Sequence, residues 1–471
     1  MTLVSAVLRL AWISNPRLLL FDENYYVNAA RKILGLRMPS DAFYVTAPSG
    51  LDPNFSHPPL GKLLISLGIR SLGDRPLGWR FAAILFGSYA ILALYWLART
   101  AGFTPWISLG ASSLMAADPM FFIHGRIGTL EILVLTFMLV ATAVYLGERP
   151  ALAGLVVGVG ACIKLVALFL LGAFAALELF RLLSRAGSER RLPKRRREQR
   201  WLRRAVPKRL AALALTSTTA LVCYFGLLQL LDMRFTNFHN SIHHTWAMLT
   251  SFDTGRLDQT IIDVIAPLAS TPISDRPDTL FAGSAPKPEP RGADAPNQGP
   301  VTAPVGPVIR QEGQNLGLAP TSSPLQWLFN EEPINYYRAP TFRGEVRSWS
   351  LLGQRTEYAT LFRVLINPAI IILALPALAF SFYQAWRKED GGAFLPSAWF
   401  LGTFGFFALS DAFRPETSGH LYYMVVVLPA IYLAVAQLFT LEKPKRFLPL
   451  YGAIVGLFFV LNFPFKTWGG V

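Results

Sequence analysis

Charge is scarce in this chain. Asp, Glu, Lys and Arg make up 15% of 471 residues against 52% apolar ones, and the mean hydropathy is +0.38. That shortage excludes an ordinary soluble enzyme of this length and reads as a polytopic membrane protein. Cysteine is nearly missing as well. Cys162 and Cys223 sit in apolar runs at no metal-ligand or disulfide spacing, so neither a disulfide framework nor a zinc site is indicated. There is no P-loop string and no Rossmann glycine fingerprint, so no nucleotide site is indicated. Met1 to Leu20 lacks the basic start and small-residue cleavage site of a secretory signal. No internal repeat is seen, and the first apolar segment is short enough to leave its upstream extent open.

What is present is a succession of apolar runs, many approaching the roughly 20 residues that carry a helix across a bilayer. The formal charge of +15 is concentrated in "RLLSRAGSERRLPKRRREQRWLRRAVPKR" (181–209). A basic loop between apolar segments marks the cytoplasmic side and argues against a nucleic-acid partner. Threading from that loop places spans at about 1–20, 78–98, 104–118, 127–147, 150–163, 165–180, 210–231, 361–385, 395–411, 420–440 and 448–467. The expected architecture is therefore all-α with about 11 transmembrane helices and a cytoplasmic N-terminus. It divides into an N-terminal membrane module (1–231), an external segment (232–360) and a C-terminal membrane module (361–471). The stretch of about 266–324 is rich in Pro, Ala, Gly, Ser and Thr, a composition that buries too little apolar surface to fold. Its flanks, "FHNSIHHTWAMLTSF" and "SSPLQWLFNEEPINYYR", carry aromatics suited to the membrane interface.

This threading gathers polar residues from separate connections on the external face. Asp22, Glu23, His57, Lys62, Asp118, His124, Arg126, Arg414 and His420 all lie there. For Asp22–Glu23, in "FDENYYVNAARKILG" (21–35), the plain reading is a helix N-cap. The functional one is a general base whose pKa burial raises. In "NFSHPPLGKLLISLGIR", Pro58 and Pro59 start a helix with Lys62 in its first turn, a cation beside free backbone N–H groups and hence a site for an anion such as phosphate. Arg126 and Glu131 stand near or within a span, where charge is costly and implies either an ion pair or a function. Lys164 either snorkels to the interface or reaches the same anion. Asp22 and Glu23 are also the one carboxylate pair placed to hold a divalent cation such as Mg or Mn, with no third ligand evident.

In order along the chain, "FDENYYVNAARKILG", "SHPPLGKLLISLG", "GWRFAAILFGS", "DPMFFIHGRIGTLEILVLTF" and "GVGACIKLVALF" resemble the signatures of bacterial protein O-mannosyltransferases. "SSPLQWLFNEEPINYY" and "LINPAIIILALPAL" resemble the family's late external loop and following span more loosely. The resemblance implies a GT-C glycosyltransferase in the bacterial inner membrane. Such an enzyme inverts the sugar as it moves it, commonly mannose, from a polyprenyl-phosphate donor to Ser or Thr hydroxyls outside the cytoplasm. Carried over by motif, Asp22 is the base, and Glu23 positions the acceptor or an ion. His57, Lys62 and Arg126, with Lys164, surround the donor phosphate. Tyr25, Tyr26, Asp118, His124, Glu131, Arg414 and His420 are further candidates for substrate contact. Relatives on this fold move aminoarabinose and other sugars to lipid or glycan acceptors, so the partners are a lipid-linked donor, membrane lipids and a protein, glycan or lipid acceptor.

Two other classes compete. A transporter or flippase predicts inverted repeats and charges at midspan, whereas here no repeat is found and the charges collect at one face. A catalytically silent membrane partner is opposed by the presence of both Asp22 and Lys62.

Overall fold

Prolines punctuate the apolar runs and set where helices start. Pro76, Pro105, Pro119 and Pro150 each occupy the first turn of a helix, where a missing N–H forfeits no intrahelical bond. The computed structural model describes residues 1–189, 198–251, 322–339, 359–413 and 419–463, except 12, 15 and 332. Its first half runs α1 (Thr2–Leu10), α2 (Glu23–Ile33), α3 (Leu60–Leu72), α4 (Pro76–Thr100), α5 (Pro105–Ala116), α6 (Pro119–His124), α7 (Glu131–Leu146), α8 (Pro150–Ala161), α9 (Phe169–Glu189), α10 (Glu198–Phe235) and α11 (Ser241–Ser251). The second half runs α12 (Pro324–Trp327), strands β1 (Ile334–Ala339) and β2 (Ala359–Val364), then α13 (Pro368–Ile371), α14 (Ala374–Lys388), α15 (Gly391–Phe413), α16 (Leu428–Leu438), α17 (Glu442–Lys445) and α18 (Leu448–Leu461). The two strands form an antiparallel ribbon with Ile334 opposite Val364 and Ala339 opposite Ala359. Apart from it, the described residues are helical or irregular, as the apolar periodicity implies.

Among the described residues, four helices are long and apolar enough to cross a membrane, at Pro76–Thr100, Leu165–Ser184, Val206–Phe235 and Gly391–Phe413. Four more, α7, α8, α16 and α18, are apolar but shorter. This is the pattern of an integral membrane protein. Helical α7 packs against α4 and α8, α8 against α10, α9 against α15, and α16 against α5 and α14.

The expected spans and the observed helices differ in three places. Residues 1–20 are helical only from Thr2 to Leu10. The segment 361–385 opens as β2, and its helix is split between α13 and α14. Asn367 causes the break, because its side chain caps Ala369 N–H at 3.1 Å and donates to the carbonyls of Ala117 and Val455 at 3.1 and 3.0 Å. An Asn followed by Pro favours a new helix start over continuation. Residues 420–440 open with a 3₁₀ turn, Leu421–Val426, before α16. The basic loop's core, 190–197, and the Pro-rich stretch up to residue 321 lie outside the described residues.

Buried ion pairs fasten the first loop to the helices. Glu23 is fully buried. Arg80 of α4 donates to its two oxygens from Nε and Nη2 at 2.8 and 2.9 Å, Gly128 N–H adds a bond at 2.7 Å, and Leu20 N–H another at 2.8 Å. Arg80 then donates to the carbonyls of Ile13, Pro16 and Leu18. A side chain at Gly128 would collide with the Trp79 carbonyl. The second pair is Lys62 with Asp52 at 2.6 Å, both shielded from solvent. Lys62 also donates to the Asn54 carbonyl and, at 2.7 Å, to the His57 carbonyl. Beside it, His244 of α11 meets Asp232 of α10 at 2.7 Å and the Phe55 carbonyl at 3.1 Å.

Removing one partner strands the other charge in low dielectric, whereas removing both does not. Lys62→Met is expected to destabilise the protein by about 3–5 kcal/mol in denaturant unfolding followed in detergent, and Lys62→Met with Asp52→Leu to regain most of that loss. Equal destabilisation by the single and the double variant would refute this role for the pair.

Candidate active site

Phe21 has a left-handed backbone, φ 48°, a conformation that costs a bulky residue of order 1–3 kcal/mol. The turn it makes directs the next residue, Asp22. Asp22 stands at the N-cap of α2 without capping it through its side chain. The carboxylate instead accepts from the Tyr26 hydroxyl and lies within the fields of Glu131 and Lys164. Burial, reinforced by the Glu131 carboxylate and opposed by Lys164, raises Asp22 to about 7.

Glu131 opens α7, and Lys164 precedes the 3₁₀ turn Leu165–Leu168. Their ion pair measures 2.6 Å, so the two intramembrane-edge charges satisfy one another across the helices that carry them. The Lys164 ammonium also lies 5.2 Å from the Tyr423 ring and 5.6 Å from that of Tyr422, within cation–π range. A cavity of about 400 Å³ opens here, lined by His57, Glu131, Lys164, Trp327, His420 and Tyr423, with Phe406 and Phe407 completing an aromatic wall. His57 is held neutral, since burial and the nearby Lys164 and Lys62 charges push its pKa well below the ordinary value. Behind Glu131, the His124 ring is 3.3 Å from the Thr129 hydroxyl through Nδ1 and 3.0 Å from the Tyr336 hydroxyl through Nε2. Burial pushes His124 down to about 4, so it is a neutral bonding partner there.

The fold thus brings together Asp22, His57, Glu131, Lys164 and His420, with Tyr26 and His124 adjoining. Other expected residues go elsewhere. Glu23 has both oxygens committed to Arg80 and to backbone N–H groups, which removes it from acceptor positioning. Lys62 is consumed by Asp52 and two carbonyls, which removes the cation expected at the start of α3. Arg126 does not pair with Glu131; it is buried where Arg80 and Glu23 act on it. Asp118 caps α6 through Met120 and Phe121 N–H and accepts from Asn367 N–H at 3.1 Å. Tyr25 points to the surface against Phe43, with ring centroids 4.7 Å apart. Arg414 lies outside the described residues.

The Asp22–Glu23 pair does not fit a divalent cation, because the Glu23 oxygens that would coordinate it already accept four bonds. Among the described residues no cluster of three His, Cys, Asp or Glu side chains suits a metal. In "SSPLQWLFNEEPINYY", Trp327 and Tyr336 face inward at 1% and 7% exposure, where an interfacial position was expected, while Phe329 is exposed at 67%. The other flank is exposed as well, at Ile242 and Trp246 of α11.

Sequence reasoning missed Asp52, Arg80, Trp327, Tyr336 and Tyr423. Asp52 offered no signal beyond a carboxylate ten residues before Lys62. Arg80 did, as the charge in the otherwise apolar "GWRFAAILFGS".

Comparison with known proteins bears on these same residues. Residues 56–195 match the family described as dolichyl-phosphate-mannose-protein mannosyltransferase. The polyprenol-phosphate-mannose–protein mannosyltransferase of Corynebacterium glutamicum is 31% identical over 124 residues, 26% of this chain and 23% of that protein. Its counterpart in Mycolicibacterium smegmatis is 28% identical over 130 residues, 28% of this chain and 24% of that one. The chain therefore aligns with about a quarter of the length of these relatives. Among solved structures, apo ArnT of Cupriavidus metallidurans superposes with a TM-score of 0.48 at 16% identity, covering 100% of this chain and 64% of that one. The Archaeoglobus fulgidus oligosaccharyltransferase in apo form gives 0.46 at 14% identity, covering 98% and 53%. The matched stretch contains His57, Lys62, Glu131 and Lys164 but not Asp22, and over residues 56–195 this chain is similar to the dolichyl-phosphate-mannose-protein mannosyltransferases.

Proposed function

We propose that this protein is an inverting GT-C glycosyltransferase that moves a sugar, mannose in our reading, from a polyprenyl-phosphate donor to Ser or Thr hydroxyls of proteins on the extracytoplasmic side. The observation that carries it is the meeting of a carboxylate with raised pKa, Asp22, and an ammonium, Lys164, beside a cavity with an aromatic wall. The family match over 56–195 supports the donor class.

In this mechanism the acceptor hydroxyl attacks the anomeric carbon. Asp22 takes the hydroxyl proton as the new C–O bond forms, and the bond from the anomeric carbon to the phosphate oxygen breaks with inversion. Near neutral pH a carboxylate titrating at about 7 accepts a proton far more readily than an ordinary one. The leaving phosphate gains charge, and Lys164 meets it. An ammonium has three N–H donors, so Lys164 can keep Glu131 and still bond the phosphate, while Glu131 fixes where that ammonium points. Neutral His57 supplies a hydrogen bond without a full charge. The aromatic wall of Trp327, Phe406, Phe407 and Tyr423 suits the apolar start of a prenyl chain and the faces of a sugar.

The three-part division at 1–231, 232–360 and 361–471, with a cytoplasmic N-terminus and an inner-membrane location, belongs to the same proposal. It places the cavity on the side opposite the basic loop.

The test is transfer of radiolabelled mannose from polyprenyl-phosphate-mannose by purified protein in detergent, offered a Ser/Thr-rich peptide and, separately, a lipid extract. Label on the peptide supports the whole reading; label only in lipid moves the acceptor. Activity with another lipid-linked sugar alone moves the donor, and silence with all of them returns the transporter or inactive-partner reading. Asp22→Asn is expected to lower turnover by at least about 100-fold with expression unchanged, and full activity in that variant would end its assignment as base.

The pH dependence follows from the raised pKa. Asp22 is protonated and inactive below about 7, so kcat should rise with pH through about 7. By linkage, a carboxyl raised in the folded state binds more protons there than when unfolded, so its contribution to stability is present at low pH and lost as pH rises to about 7. An acid limb of kcat at the ordinary carboxylate range, near pH 4, would count against this environment for Asp22.

A further inference from the structure

The strained turn before Asp22 does not stand alone. The Tyr336 ring of β1 stacks on Phe21 with centroids 4.2 Å apart and planes 8° from parallel, and Tyr422 meets Phe21 from another side, edge-on at 5.4 Å. The Tyr336 hydroxyl reaches His124 at 3.0 Å, and Nδ1 of His124 is 3.8 Å from Glu131, the partner of Lys164. One tyrosine from the ribbon thus touches both the residue that aims Asp22 and the ring behind the Glu131–Lys164 pair.

We propose that Tyr336 is a positioning residue for transfer: by stacking on Phe21 it holds Asp22 beside Glu131 and Lys164, so that the ribbon β1–β2 must be seated for the base to act. This rests on the reading of Asp22 as the base. The argument is mechanical. A left-handed Phe persists only where its surroundings hold it there, and the flat face of Tyr336 covers the ring on which that conformation depends. Without the stack, Phe21 relaxes to negative φ, and the chain direction into Asp22 changes. Catalytic groups misplaced by about 1 Å lose on the order of 100-fold in rate.

The same change admits water around Asp22. The titratable groups facing it are Glu131 from α7, Lys164 ahead of the 165–168 turn, Tyr26 from α2, Tyr336 from β1, and Tyr422 and Tyr423 from the 421–426 turn. Of these, Tyr336 is the one contributed by the external ribbon.

The experiment compares pH profiles of kcat and the donor KM for Tyr336→Phe, Tyr336→Leu, Phe21→Leu and Phe21→Tyr in the purified full chain, with Asp22→Asn as control. Tyr336→Phe keeps the stack and loses only the bond to His124, so kcat should stay within about tenfold of the parent and the acid limb should not move. Tyr336→Leu and Phe21→Leu remove the stack from either side. Each should lower kcat at neutral pH by about 100-fold, leave the donor KM nearly unchanged and move the acid limb toward the ordinary carboxylate range. Phe21→Tyr restores the stack and should restore both readouts. If both leucine variants keep the parent's limb and kcat while Asp22→Asn is inactive, the positioning role is refuted and the base stands. If Asp22→Asn is itself active, the reading beneath the proposal fails. Should Tyr336→Leu not fold, Phe21→Leu against Phe21→Tyr decides the question alone.

Discussion

The guanidinium of Arg80 against the carboxylate of Glu23 is the contact on which the site depends. Both side chains are shut off from solvent. Taking two charges out of water is costly unless each is met by good hydrogen-bond geometry, and here both oxygens and the whole guanidinium are engaged by α4, the 13–20 segment and the Gly128 turn. Asp22 precedes Glu23 by one residue. What anchors one residue directs its neighbour, so the adjacent carboxylates differ: Glu23 is bound on both oxygens, and Asp22 lies toward Glu131 and Lys164.

The same division recurs farther along. Lys62 is spent on Asp52 and on the carbonyls that shape the 52–57 loop, and that loop delivers His57 to the cavity. Lys164 keeps its place through Glu131. The site therefore gathers fewer cations than its motifs suggest. Like charges repel one another once buried, and here Lys62, Arg80 and Lys164 are each paired with a carboxylate. Among the described residues, the Lys164 ammonium and the His57 and His420 imidazoles line the cavity.

Residues from the other half of the chain complete the wall. Trp327 comes from α12, and His420 and Tyr423 from the turn before α16; they line the cavity with His57, Glu131 and Lys164, while Tyr336 of β1 stacks on Phe21. The pocket is long-range in sequence, joining His57 to Tyr423 across more than 300 residues of chain.

Composition and periodicity alone determined that this is a helical membrane protein, because scarce charge and repeated apolar runs permit little else in a bilayer. Motif order points to residues 20 to 170 as the chemical half, and within it to Asp22, Glu23, His57, Lys62, Arg126 and Lys164 alike. The sequence could not reveal which member of each charged group works and which one braces. Asp22 and Glu23 are neighbours of the same chemistry, and only the position of Arg80, 57 residues away, separates them. Lys62 and Lys164 look alike as lysines near apolar segments; Asp52 removes one from the cavity and Glu131 fixes the other at its wall. Tyr336 carried no signal, since an aromatic in a polar loop reads as interfacial until its ring is found on Phe21. Local sequence decides propensity and burial, but whether a charge is paired depends on partners brought by other helices. That pairing, set by tertiary packing in low dielectric, is what selected the site.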